Sequence, residues 1–260
     1  MSKNFELMRQ AGREQELLMG RPMRPATPAP GMGNGGNRHR AAQHSSAEFD
    51  LNQVAAEEAL RLVHRVFLNH VQDPARVVVF AGIDHGNGCS RICVDVAAAL
   101  AKSMQGSVCL VEANLHSPSL PHMVGTTNHH GLTDALSTDE PIRSFAKLVS
   151  GENLWLLSSG SMDASMGNIL NPDKMKARIA ELRKEFDYVL VDAPPLNEYS
   201  EAVALGQLVD GLILVLEANS TRREAAMRIA ESLRATQIRL LGAVLNKRTF
   251  PIPQSLYKLL

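Results

Sequence analysis

The chain has 260 residues, 45% of them hydrophobic and 21% charged, with 27 basic residues against 27 acidic ones. That apolar share can fill a sizeable core, in one large domain or two small ones. The zero balance argues against a general nucleic-acid or membrane-surface binder, and 4% aromatics is poor for stacking platforms.

In residues 1–49, Phe5, Met8 and Leu18 fall near one face, the pattern of a short helix that Gly20 would end. Residues 21–40 hold four prolines and four glycines, a composition that reads as a flexible linker. Residues 1–44 carry seven Arg/Lys against three Asp/Glu, so this arm is basic. It reads as a solvated tail or as a docking peptide for an acidic partner.

From residue 50 to 260 the pattern is regular. Asp50 and Gln53 resemble a capping box before the helical run LNQVAAEEALRLVHRVFLN. VVVFAG reads as a buried strand, followed by the loop IDHGNGCS and the helix RICVDVAAALAKSM. SVCLVEAN is a second strand. After the short helix GLTDALST, NLWLLSSG is a third. Asn171-Pro172 opens another helix, with proline in the first turn. DYVLVDAPP, DGLILVLEAN and RLLGAVLN complete six predicted strands. Thr221 and Glu224 read as a capping box for REAAMRIAESLRA. Apolar strands alternating with amphipathic helices predict a parallel sheet covered on both faces.

Three cysteines, Cys89, Cys93 and Cys109, cannot form a disulfide framework. No apolar run approaches the roughly 18–20 residues that span a bilayer, and no signal pattern opens the chain. A soluble cytoplasmic protein is expected.

The strand-to-helix loop is the chemical clue. A phosphate loop needs glycines so that backbone amides close around phosphate oxygens, and it opens a helix whose N-terminus favours an anion. Gly82, Gly86 and Gly88 supply that freedom, and Ser90 stands where a hydroxyl holds magnesium. A working loop has lysine just before that hydroxyl, and here the residue is Cys89. A hydrogen bond to a charged group contributes roughly 1.5–3 kcal/mol, so its loss weakens binding about ten- to a hundred-fold. Arg91 is a poor substitute, since its side chain starts about 100° around the helix axis from Ser90. With no ligand, the same glycines make a tight turn.

Several segments together resemble one family: FAGIDHGNGCS, VCLVEANLHSPSLPHMVG, GLTDAL, EFDYVLVDAPPL, LVDGLILVLEANSTRREA, LLGAVLN and IPQSLYKLL. Their order resembles the cytoplasmic kinase domain of the bacterial tyrosine autokinases (BY-kinases) of capsule and exopolysaccharide synthesis, within the deviant-Walker P-loop group. The resemblance covers about residues 50–260. It implies a doubly wound, mostly parallel α/β sheet of the P-loop NTPase type, ATP and Mg2+ as cofactors, and protein-tyrosine kinase activity. Carried over residue by residue, it implies that Gly86, Asn87, Gly88, Cys89, Ser90 and Arg91 face the phosphates. Ser90 and Asp192 would hold magnesium, Glu112 and Asp192 would be the catalytic carboxylates, and Asn246 would lie near adenine.

The chain departs from this pattern at several places. In the acidic motif after the second strand, Asn114 and His116 replace an aspartate and a basic residue. Family members end in a tyrosine cluster, whereas this chain has Tyr188, Tyr199 and Tyr257. Family subunits assemble through Glu-x-x-Arg-x-x-Arg; Glu58 and Arg61 match, His64 replaces the last arginine and Arg65 is out of phase.

Other groupings carry other readings. Cys89 with Cys93 and His85, or His116, His122, His129 and His130, are weighed as metal sites. Cys89 at a helix N-terminus is a candidate for a lowered pKa and redox reactivity. Arg222 and Arg223 in a helix's first turn suggest contact with an acid or phosphate.

The expected function is a degenerate BY-kinase-like regulator of exopolysaccharide or capsule synthesis and export, acting through partners, with weak or absent nucleotide binding. The expected partners are a membrane-anchored chain-length or export protein or an active kinase, which would recruit the chain to the inner face of the membrane. Self-assembly through the helix bearing Glu58 and Arg61 is a further expectation; nucleic acid is not an expected partner. The alternatives are an active ATP-dependent autokinase and a partition-type ATPase.

Overall fold

Seven strands pair into one sheet in the order β3-β4-β2-β5-β1-β6-β7. The structure, a computed structural model, describes residues 51–68, 74–151, 153–161 and 171–248. The predicted basic arm, the Asp50–Gln53 capping box and the segment holding Tyr257 lie outside the described residues. The strands are β1 Val77–Gly82, β2 Val108–Glu112, β3 Ala146–Ser150, β4 Leu154–Leu157, β5 Tyr188–Asp192, β6 Gly211–Glu217 and β7 Leu240–Asn246. All neighbours run parallel except β3 and β4. The helices are α1 Leu51–Val63, α2 Cys89–Ser103, α3 Leu120–Met123, α4 Leu132–Ser137, α5 Pro172–Glu185, α6 Glu201–Gly206 and α7 Arg223–Ala235. A π-helical turn, His64–Leu68, continues α1.

Six strands match the predicted runs, and β3 is a correction. It is an edge strand with only Ala146 fully buried, and Leu148 is 48% exposed. Such a strand needs no continuous apolar run, so the sequence pattern passes over it.

The central strands are buried on both faces, which is why they read as apolar runs, ended in β2 and β5 by Glu112 and Asp192. Alternate side chains enter two separate clusters. Val77, Val79 and Val191 pack with Leu132, Ile179 and Leu205 from α4, α5 and α6. Val78, Phe80 and Leu190 pack on the other face with Val63, Val96 and Leu100 from α1 and α2. Each fully buried side chain of this size contributes about 1.5–3 kcal/mol.

Local chemistry fixes the helices. Asn171 Oδ1 accepts from Asp173 N at 2.9 Å and Lys174 N at 3.3 Å, with Pro172 at the first position, as predicted. Buried Arg178 donates to Ala135 O at 2.8 Å and Glu140 O at 2.9 Å, and also to Thr138 O. It thereby satisfies carbonyls at and beyond the end of α4. The predicted Thr221–Glu224 capping box is not formed. Arg222 occupies the cap position without a side-chain bond, and Thr221 Oγ1 instead accepts from Glu217 N at 2.9 Å. That hydroxyl is drawn back to the end of β6.

Leu190 lies in β5, between β1 and β2, and is fully buried. Leu190→Ala should cost about 2–5 kcal/mol of stability by urea unfolding, through the cavity it opens in the face under α1 and α2.

Candidate functional site

The carboxyl ends of β1, β2 and β5 lie together, the place where open α/β sheets bind ligands. β1 ends at Gly82, and residues 83–88 turn into α2. Gly86 and Gly88 take φ of 83° and 81°, in the left-handed region where glycine carries no Cβ penalty. A Cβ on Gly88 would strike Asn246 Nδ2. Among the described residues, no backbone carbonyl accepts from the amides of Cys89, Ser90 and Arg91, as expected at a helix start. They border a cavity of about 230 Å3, lined also by Asp84, His85, Asn114, Ser119 and Pro195.

The loop is tied down from several strands. Asn87 is buried; its Oδ1 accepts from Asp84 N at 3.1 Å, and its Nδ2 lies 3.5 Å from both Val215 O and Thr221 Oγ1. Asn246 Nδ2 donates to Asn87 O at 2.8 Å. The side chain expected near adenine is therefore engaged with the loop itself.

Below the loop, Glu112 and Asp192 are register partners on β2 and β5. Both are fully buried. Glu112 Oε2 accepts from Ser119 N at 2.7 Å and Leu120 N at 2.8 Å, so half of this carboxylate holds the start of α3. Glu112 Oε1 and both Asp192 oxygens have no hydrogen-bond partner. Burial, and then the charge of Asp192, push Glu112 up to about 8. Burial pushes Asp192 up to about 6, against the lowering effect of Ser90 and Cys89. The Ser90 hydroxyl and Cys89 thiol approach Asp192 without completing a hydrogen bond.

For magnesium, the donors fit: a hydroxyl, a strand-end carboxylate and orphaned buried oxygens suit a hard cation. For a nucleotide's phosphates the fit is partial. The loop amides are in place, but the described lining carries Arg91 and His85 as its basic groups. Arg91 Nε donates to Asp95 at 3.0 Å and its side chain is 64% exposed.

The thiolate and metal readings are corrected, and the structure places the remaining candidates. Cys89 has its pKa raised well above the usual thiol value, first by burial and then by Asp192 and Cys93, which overturns the reactive-thiolate reading. Among the described residues no group of three His, Cys, Asp or Glu is arranged to hold a metal, so neither the cysteine pair nor the histidines form such a site. His116 instead stacks on Tyr199, with Nε2 3.0 Å from Glu201 Oε1. His129 and His130 belong to the loop before α4, and His122 lies in α3. Arg222 and Arg223 are exposed at the start of α7. Asn114 Oδ1 accepts from Ser117 N at 3.3 Å. Tyr188 is half-buried, edge-on to Phe67 with centroids 5.7 Å apart. Glu58 and Arg61 pair with each other at 2.7 Å on the exposed face of α1.

Asp84, Thr221, Asn197 and Glu198 were not expected in the site. Asn197 reaches Asp84 across 113 positions and Asn87 reaches Thr221 across 134, so no local pattern could reveal them.

A parallel sheet, a glycine loop opening α2 and a strand-end aspartate beneath it define a P-loop NTPase-type protein. A family model described as ParA: NUBPL iron-transfer P-loop NTPase matches residues 75–258, and the chain belongs to that family. Tyrosine-protein kinase YwqD of Bacillus subtilis (strain 168) is 29% identical over 162 residues, covering 62% of this chain and 68% of that protein. Tyrosine-protein kinase CpsD of Streptococcus pneumoniae (serotype 4) is 25% identical over 175 residues, covering 67% and 77%. The solved kinase domain of the Escherichia coli tyrosine kinase ETK shares the fold, with TM-score 0.65 and 20% identity over 75% of this chain and 78% of that one. The resemblance to bacterial tyrosine kinases thus holds, and among the described residues no helix is long and apolar enough to cross a membrane.

Two measurements follow from the buried groups. A carboxyl whose pKa is raised by folding holds its proton more tightly in the folded state, so stability falls as pH rises from the unfolded to the folded value. For Glu112 that window runs from 4.5 to about 8, and for Asp192 from 3.8 to about 6. Glu112→Gln keeps an acceptor for α3 and should remove the Glu112 share. Its stability advantage over wild type should grow from pH 5 to pH 9 in urea melts. The three thiols, all with raised pKa, should resist a disulfide reagent at pH 8 in the native protein and react at once in urea.

Proposed function

We propose that this chain is a degenerate relative of the bacterial tyrosine autokinases that regulates exopolysaccharide or capsule synthesis or export through partner binding, with weak or absent nucleotide binding. One observation carries the reading. At the position where a phosphate loop needs an ammonium stands Cys89, its thiol directed at Asp192, while Arg91 is turned to Asp95. The Glu112–Asp192 pair beneath the loop, its pKa values raised by burial, supplies no cation in the ammonium's place to meet a triphosphate. Binding then lacks a contact of roughly 1.5–3 kcal/mol, and phosphoryl transfer lacks a group that neutralises developing charge.

The partner is a membrane-anchored chain-length or export protein, or an active kinase, which would bring this domain to the inner membrane face. The names of the relatives support the kinase-like lineage, and the intact sheet supports a folded surface for such a partner.

A second reading, an active autokinase, draws on the surviving Ser90 and Asp192 beneath the loop. Titration with Mg2+ and a fluorescent ATP analogue separates the two. The first reading expects no saturation in the micromolar range, and micromolar affinity removes it. Cys89→Lys should tighten nucleotide binding about ten-fold or more. Tyrosine autophosphorylation by the wild type, abolished by Asp192→Asn, would establish the second reading instead.

A further inference from the structure

The segment after β5 runs back over the phosphate loop. Leu196 N donates to Gly82 O at 2.9 Å and Asn197 N to Ile83 O at 3.0 Å. Beyond this backbone anchor, side chains grip the same loop and one further loop, that of His116. Asn197 Nδ2 donates to Asp84 Oδ1 at 2.7 Å. His85 N donates to Glu198 Oε1 at 3.3 Å. Tyr199 stacks on His116, with centroids 3.7 Å apart and planes 13° from parallel, and Glu201 Oε1 meets His116 Nε2 at 3.0 Å. Asp84, His85 and Pro195 line the cavity, and Asp84, His85 and Glu198 are exposed, which puts these contacts at its mouth.

In a phosphate loop the backbone amides turn towards the bound anion. Here the amide of His85 already has an anionic acceptor, supplied by the same chain. A phosphate oxygen and the Glu198 carboxylate cannot share that amide without strong repulsion. We propose that Glu198 is an intramolecular stand-in for phosphate, and that Asn197–Glu201 is a strap that closes the cavity to phosphate-bearing ligands. The inference rests on reading this cavity as the phosphate site, and it adds a second barrier beside the missing lysine. Ligand entry and strap closure exclude each other. Asn197, Tyr199 and Glu201 hold the strap to two loops, so the competing carboxylate stays at high local concentration.

The test uses the full chain. Calorimetry measures ADP, with inorganic phosphate as the base-free probe, against Cys89→Lys and against Cys89→Lys carrying Glu198→Ala or Glu198→Gln. The strap predicts about three- to ten-fold tighter binding of both probes in both double variants. Equal or weaker affinity at an unchanged melting temperature overturns it. Hydrogen exchange gives a readout without ligand: Glu198→Ala in the wild-type background should speed exchange at His85 and across Asn197–Glu201 by about ten-fold. Unchanged exchange overturns the strap whether or not any probe binds. Micromolar ADP binding by the wild type would remove the weak-binding reading, while the ratio of each double variant to its parent still decides the strap.

Discussion

A buried carboxylate needs a counter-charge, a set of donors or a proton, and the core of this site supplies few donors. Glu112 and Asp192 sit side by side at the ends of β2 and β5, with three of their four oxygens unpartnered. In a lysine-bearing loop the ammonium would stand one residue before Ser90, close to this pair. Cysteine there offers no charge, and the low-dielectric surroundings raise both carboxyl pKa values instead. A proton then does at the pair what a cation would otherwise do. Glu112, pushed up to about 8, keeps its proton near neutrality, so the pair does not carry two negative charges there.

That constraint explains how the loop holds its shape. Asn87 and Asn246 bind it by neutral amide contacts from β6 and β7, and Gly88 lets Asn246 approach the backbone. Contacts from within the fold give the loop its shape. Family membership and the kinase relatives account for the architecture. Cys89 marks the place where the loop departs from the lysine-bearing pattern.

Much of the fold was legible because the central strands obey one rule. VVVFAG, VCLVE and YVLVD are apolar up to the carboxylates that end the last two, because both faces are covered, and such runs stand out in a sequence. β3 escaped notice because an edge strand with one packed face obeys no such rule. Within the site, Gly86, Gly88 and Ser90 stood out by local spacing, and Asp192 by the family resemblance. For Glu112 the resemblance implied a catalytic carboxylate, and the structure adds what the sequence did not show, that the β2–α3 turn presents two amides to one of its oxygens. The reactive-thiol reading of Cys89 failed for a related reason. A helix N-terminus lowers a thiol pKa, but burial beside a carboxylate raises it, and the neighbour is 103 positions away in the chain.

The Glu112 carboxylate joins two things that a sequence keeps apart. One of its oxygens is buried without a partner, and the other carries the first amides of α3, whose Met123 is 43% exposed and borders the cavity. A charged carboxylate grips those amides harder than a neutral one. The protonation state of the interior is thus mechanically linked to how firmly a surface turn is seated, and a partner touching that turn would sense the core's charge without ever reaching it.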